Sequence, residues 1–157
     1  MNVQYSITDI EAFAARFYQG RPLLLTPYGY STTFAALAQN AVATNIINIA
    51  ANADFMFLAI NHRAQIGAAQ TVSSKTAPFV RLLITDSGSN EQYMNAAVDL
   101  ENYSQNGVGA HSLPYPRIVA GRSTLTVQAS NYAPTAETYT ILDVFLEGML
   151  VRAYQQV

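Results

Sequence analysis

The sequence contains no cysteine among its 157 residues and has few charged ones. Without cysteine the chain has no disulfides, thiolate metal sites or cysteine nucleophile. Charged residues make up 11% of the chain, whereas an average soluble domain has about 25%. Such a surface suits a protein whose faces are covered by partners, because soluble monomers usually keep apart through charge. The alternative is a neutral, polar β protein.

Positive charge is scarce and spread along the chain. The net charge is −2, and Lys75 is the single lysine. The seven arginines are Arg16, Arg21, Arg63, Arg81, Arg117, Arg122 and Arg152. Binding to nucleic acid and polybasic attachment to a membrane both need clustered cations, so we expect neither as a partner.

Long apolar runs are absent too. No stretch approaches the roughly 18 apolar residues of a transmembrane helix. The first 13 residues lack the basic and apolar regions of a signal peptide. We therefore expect a protein that is made in a cytoplasm and acts there or in an assembled particle.

Motifs for catalysis are missing. The two histidines are His62 and His111, and a serine triad can be drawn only on paper, from Ser112 or Ser123 with Asp86. No Gly-x-Ser-x-Gly elbow, dinucleotide-binding motif or phosphate-binding loop accompanies them. We therefore predict a protein that is not an enzyme, with no catalytic residues and no cofactor.

One turn is rich in oxygen ligands of the kind that calcium prefers. They are supplied by Asp86, Ser87, Ser89, Asn90 and Glu91. The stretch lacks the alternating ligands and terminal acid of an EF-hand loop, and no His-x-x-x-His pair suits zinc. We predict an ordinary turn and no metal site; a bound cation is the alternative.

Residues 1–30 are predicted to form a helix and a connecting arm ahead of the main domain. Helical spacing and its boundaries predict a helix over residues 9–18. The residues that carry this are the apolar Ile10, Phe13, Ala14 and Phe17, the capping-box pair Thr8 and Glu11, and the stop signals Gly20 and Pro22. So short a helix must bury its stripe on its own domain or on a neighbouring chain, and we favour the neighbour. Residues 21–30 are predicted to be an extended connector.

Residues 31–157 are predicted to form a β domain. Strand signals cover residues 32–39, 45–50, 54–60, 80–85, 94–98, 117–120, 123–130 and 138–151. Two longer loops, 61–78 and 100–116, remain. Eight short strands predict an all-β, eight-stranded jelly-roll or β-sandwich.

Two of these strands carry apolar residues on both faces. In the strand over 54–60, Phe55 and Phe57 alternate with Met56, Leu58 and Ile60, so both of its faces need cover. In the last strand, Leu142, Val144 and Leu146 suit the core, with a bulge predicted at Gly148. The opposite face shows Ile141, Asp143, Phe145 and Glu147. That face predicts either a subunit contact or cover by the N-terminal helix.

The second half of the chain resembles small structural proteins of tailed bacteriophages. The pattern is carried by residues 79–88 (FVRLLITDSG), 94–98 (MNAAV), 113–118 (LPYPRI), 122–131 (RSTLTVQASN) and 142–148 (LDVFLEG). It is similar to jelly-roll virion proteins that decorate or cement capsids. The resemblance implies a jelly roll located in the virion and implies no catalytic residue.

Two functions follow as hypotheses. The first is a decoration or cement protein that binds copies of itself, in a trimer or another ring, and the major capsid protein. Its predicted interface residues are Ile10, Phe13, Phe17, Leu23, Leu24, Leu25, Ile141 and Phe145. The alternative is a receptor-binding module at a tail, fibre or vertex, which recognises a host glycan through aromatic rings and nearby amides. Its candidate ligand residues are Tyr103, Tyr115 and Tyr132.

Overall fold

A computed structural model describes residues 4–67, 77–104 and 112–154 of the chain. Strands dominate these residues, and helix is confined to two short segments. In chain order the elements are α1 (Ile7–Phe17), β1 (Leu23–Leu37), β2 (Val42–Asn48), β3 (Asp54–Ile66), β4 (Val80–Asp86), β5 (Glu91–Gln92), β6 (Val98–Asp99), α2 (Leu100–Tyr103), β7 (Ser112–Val119), β8 (Thr124–Asn131) and β9 (Tyr139–Ala153).

The strands form two antiparallel sheets that pack face to face. The first sheet has the order β1-β9-β3-β7, and the second has the order β2-β8-β4-β5. The short β6 also pairs with β4, at the end away from β5, so β5 and β6 together act as one interrupted strand. Counted this way the described residues form eight strands, and most successive strands alternate between the sheets. The predicted all-β, jelly-roll sandwich is confirmed.

The core lies between the sheets and follows from the alternation of apolar and polar residues. Every second residue of β8 is fully buried, while its neighbours face outward and are half-exposed. The inward-facing residues of β8 and β9 are Leu125, Val127, Ala129, Leu142, Val144 and Leu146, all as predicted. Two of the largest buried rings, Phe55 and Phe57, come from β3 and stack 6.1 Å apart between ring centroids.

Helix α1 begins two residues earlier than predicted. Its capping box is formed by Ser6 and Asp9, and the predicted pair, Thr8 and Glu11, lies inside the helix. Asp9 also places a negative charge in the first turn, where its interaction with the helix dipole stabilises the helix. The helix ends where Gln19 and Gly20 adopt positive φ angles of 56° and 73°, which agrees with the predicted stop at Gly20.

The structure corrects the predicted connector over residues 21–30. Strand β1 begins at Leu23 and pairs with β9 from Ala153 onward, so most of this segment belongs to the first sheet. Pro27 and Gly29 suggested a break in the strand. Because β1 lies at the edge of the sheet, the N–H that Pro27 lacks is not needed for pairing.

Other boundaries also differ from the prediction. Strand β3 continues to Ile66, and β7 begins at Ser112, so residues 61–66 and 112–116, which were predicted to be loop, are strand. Residues 94–98 do not form a continuous strand, since β5 and β6 flank a bend. The bulge lies on β3 at Leu58, opposite the predicted position at Gly148. At Gly148 the strands come too close for a side chain, because a Cβ would lie 1.9 Å from the Met56 carbonyl oxygen.

Candidate functional site

Strands β2, β8 and β4 of the second sheet present an outer face that carries little charge. We call it the β2–β8–β4 face and define it by the outward-facing residues of those three strands. They are Val42, Thr44, Ile46, Asn48, Thr124, Thr126, Gln128, Ser130, Arg81, Leu83 and Thr85. The register places them in rows, with Ile46 opposite Thr126 and Val42 opposite Ser130. Arg81, at one end, carries the single charge among them.

Strand β2 forms one edge of this face. Val42 and Ile46 are 60% and 63% exposed, and the sequence of β2, VATNIIN, has no charge and no proline. Natural edge strands usually carry charged residues or proline, because these prevent pairing with other chains. Asn45 donates hydrogen bonds to Thr32 Oγ1 and to the Thr33 carbonyl of β1, both at 2.9 Å. These bonds fix β2 against the first sheet, with Val42 and Ile46 facing outward.

The predicted interface residues of the N-terminal segment lie mostly against their own domain. Phe13 and Ala14 are buried with Met56 and Val151 on the outer face of the first sheet. Ile10, Leu23 and Leu25 pack around this cluster and are half-buried. The helix therefore covers the second apolar face of β3 within the same chain. Phe17 and Leu24 stay exposed.

The outer face of β9 is only partly covered. Phe145 is exposed, and its ring lies over Gly29 of β1, where it occupies the space of the missing side chain. Asp143 accepts a 2.6 Å hydrogen bond from the Thr33 hydroxyl, and Ile141 is half-buried. Phe17, Leu24 and Phe145 thus remain available for contact with other chains, and their role as interface residues stays a prediction.

The three tyrosines of the predicted ligand site lie in different surroundings. Tyr103, in α2, packs against the core. Tyr115 meets Phe13 edge-to-face, with ring centroids 5.2 Å apart. The ring of Tyr132 stacks against the Arg81 guanidinium at 4.6 Å, and burial and a hydrogen bond to Asp99 raise its pKa to about 12. In the described part of the chain no two of these rings pair with each other.

A buried histidine has unexpected neighbours. His62 of β3 is buried, with Nδ1 2.8 Å from Ser104 Oγ and Nε2 2.8 Å from Glu101 Oε1. The serine and the acid differ from those considered in the sequence, because α2 folds over the end of β3. Ser104 has no exposed surface, so a substrate cannot reach its hydroxyl. We interpret the contacts of His62 with Ser104 and Glu101 as structural, because they hold α2 against β3. The other histidine, His111, lies outside the described residues.

The buried position of His62 predicts that the free energy of unfolding decreases in acid. Burial lowers the pKa of His62, and Glu101 opposes this only in part. The usual pKa of histidine is about 6.5. Below that pH the unfolded chain therefore binds more protons at His62 than the folded chain does, so the free energy of unfolding falls as the pH drops. The slope for one group is at most about 1.4 kcal/mol per pH unit.

The pH effect is measured by urea unfolding between pH 7.5 and 5.5, in parallel with the His62→Gln variant. We expect the variant to lose less stability than the natural chain over this range. Equal losses in both proteins would show that His62 is not the group responsible.

The turn after β4 uses its oxygen atoms internally. Asp86 is buried, and its Oδ1 accepts a 2.8 Å hydrogen bond from the Gly88 N–H. The Ser87 hydroxyl lies 2.6 Å from the Thr124 hydroxyl of β8. Within the described residues, no cluster of three potential metal-binding side chains occurs. These contacts are typical of a turn that closes β4 against β8.

Three arginines that are far apart in sequence line one cleft. The cleft has a volume of about 440 Å³ and opens where the α1–β1 connection, the β2–β3 turn, the β7–β8 turn and the end of β9 meet. Its cations are Arg21, Arg122 and Arg152, and its one carboxylate is Asp54. The arginines are thus not evenly scattered in space. Arg21 and Arg122 each follow the end of a helix or strand, but no sequence pattern indicates that they lie close together.

Comparison of the chain with protein-family models, with curated proteins and with solved structures gave no match. Among the described residues, no helix is long and apolar enough to cross a membrane.

Proposed function

We propose that the chain is a structural virion protein that decorates or cements the capsid of a tailed bacteriophage. It binds copies of itself, in a trimer or another ring, and the major capsid protein, and it carries out no catalysis. The observation that carries this proposal is the β2–β8–β4 face, with Ile46 and Val42 exposed on an uncharged edge strand. The jelly-roll sandwich and the resemblance over residues 79–148 support it.

The size of the face explains why many copies act together. Three strands about 4.8 Å apart and seven residues long span roughly 330 Å². A typical stable interface buries about 800 Å² on each partner. One such contact between two copies is therefore weak. A closed ring repeats it between neighbouring copies, and a ring that binds the shell at several equivalent places gains further affinity through multivalency.

Decoration of this kind stabilises a shell by mass action. A protein that binds the assembled lattice and not the free capsid subunits shifts the equilibrium toward the assembled shell. Neutral hydroxyl and amide groups, such as those of Thr126 and Gln128, bind a partner without the desolvation cost of buried charges. Ile46 and Val42 add apolar area, which contributes about 25 cal/mol for each Å² buried.

The proposal is tested by co-sedimentation with capsid shells stripped of this protein. We expect the natural chain to sediment with the shells and Ile46→Glu to bind at least about tenfold more weakly, because a carboxylate would be buried without a partner. The matched control is Ile7→Glu, since Ile7 is 75% exposed at the start of α1, where a negative charge is tolerated.

Two outcomes would contradict the proposal. If the natural chain stays in the supernatant, it does not bind the lattice. If it binds host cells in the absence of capsids, a receptor-binding role replaces the structural one.

A further inference from the structure

The cleft that contains Arg21, Arg122 and Arg152 has an excess of positive charge. With Asp54 as its one carboxylate, its formal charge is +2, although the whole chain carries −2. In the part of the chain that the structure describes, none of the three arginines lies within ion-pair distance of an acidic group. Two other arginines do have such partners, since Arg81 lies near Asp99 and Arg117 near Glu91.

Within the described residues Asp54 forms no ion pair with the three arginines, and both of its oxygens accept hydrogen bonds from the wall of the cleft. The Tyr18 hydroxyl donates a 2.7 Å hydrogen bond to Oδ2, and the Gly121 N–H donates a 2.8 Å bond to Oδ1. These bonds tie the end of α1 and the β7–β8 turn to the start of β3. The walls are therefore held in place without any contribution from the arginines.

Arg152 contains a polar atom that lacks a partner. Its Nε is fully buried and makes no hydrogen bond in the described structure. A buried donor of this kind, on a charged group, is costly unless a partner satisfies it. Arg152 also lines the cleft, where an anion would balance the charge of its guanidinium group.

Arg122 occupies a strained backbone position. Its φ angle is 67°, in the left-handed region where residues other than glycine, asparagine and aspartate are uncommon. Glycine would be relaxed there, and the neighbouring Gly121 already packs against the β2–β3 turn. Strain of this kind is found often at ligand sites, and here the side chain adds a cation to the cleft.

We propose that this cleft binds a small ligand that carries an oxyanion, either a carboxylate or a phosphate. Guanidinium groups bind both with paired, charge-assisted hydrogen bonds. The volume of about 440 Å³ lies within the range of small-molecule sites. This inference does not depend on the proposed structural role, because the cleft lies at one end of the sandwich and the β2–β8–β4 face lies on its side.

The test is calorimetric titration of the full chain with sodium D-glucuronate and with inorganic phosphate, at constant ionic strength. We expect saturable binding of at least one of these anions and none of D-glucose, which has the hydroxyls without the charge. Binding of glucuronate alone would identify an acidic saccharide, and binding of both would identify a general oxyanion site.

The diagnostic variant is Arg122→Gly, which removes one cation and relieves the backbone strain. We expect it to fold with an unchanged or higher melting temperature and to bind the anion at least about tenfold more weakly. The control, Arg16→Gln, removes one charge from α1 outside the cleft and should bind like the natural chain. The proposal is overturned if neither anion binds, if D-glucose binds equally well, or if Arg122→Gly keeps full affinity.

Discussion

Replacing Gly148 by alanine is expected to lower the free energy of unfolding by at least about 3 kcal/mol. A Cβ at this position would lie 1.9 Å from the Met56 carbonyl oxygen and 2.8 Å from the ring of Phe55. The first of these atoms is backbone and the second belongs to a fully buried ring, so neither can move away cheaply. Strands β3 and β9 would have to separate at the bulge.

The control for this effect is Gly29→Ala in the neighbouring strand β1. There the Cβ would meet the ring of Phe145 at 2.2 Å, but this ring is partly exposed and can rotate toward solvent. A change of rotamer costs about 0.5–1.5 kcal/mol, so the loss of stability should be much smaller. Thermal unfolding checks both variants. A melting temperature for Gly148→Ala within about 2 °C of the natural chain, which corresponds to 1 kcal/mol or less, would contradict the close approach of the strands.

Phe13→Ala is expected to cost about 3 kcal/mol, while Phe17→Ala, four residues further along α1, is expected to cost about 1 kcal/mol or less. The two rings belong to the same helix, but Phe13 is 7% exposed and Phe17 is 54% exposed. Only Phe13 packs in the cluster with Met56 and Val151. Its loss leaves a cavity over the first sheet, whereas truncation of Phe17 mainly changes a surface contact.

This comparison also tests whether α1 packs within its own chain. Urea unfolding of both variants at two protein concentrations measures it, because a helix that packs on a neighbouring copy makes stability depend on concentration. We expect the difference between Phe13→Ala and Phe17→Ala to be the same at both concentrations. Equal effects of the two substitutions, or a difference that grows with protein concentration, would show that α1 does not pack as described.

Local patterns allowed the central strands to be predicted from the sequence. Alternation at Leu125, Val127 and Ala129 located β8 to within one residue, because a strand with one buried face has a strict period of two. The apolar residues on both sides of β3 also indicated correctly that a second layer covers it. They did not reveal that α1 of the same chain is that layer, since packing partners depend on tertiary structure.

The features that were missed depend on position within the sheets. Pro27 and Gly29 suggest a break in a strand, and only the edge location of β1 makes them compatible with pairing. The cleft shows the same limit, because the jelly-roll connections bring Arg21, Arg122 and Arg152 to one end of the sandwich. No spacing in the sequence encodes that proximity. The exposed side of β2 was likewise visible only when the sheet order was known.

The most direct test of the proposed assembly is the solution mass of the full chain by multi-angle light scattering, measured for the natural protein, Ile46→Glu and Ile7→Glu. We predict that the natural chain and Ile7→Glu form the same closed oligomer, and that Ile46→Glu shifts toward a monomer with unchanged β-sheet content by circular dichroism. A natural chain that remains monomeric at all accessible concentrations, or an Ile46→Glu variant with the natural mass, would contradict self-association through the β2–β8–β4 face.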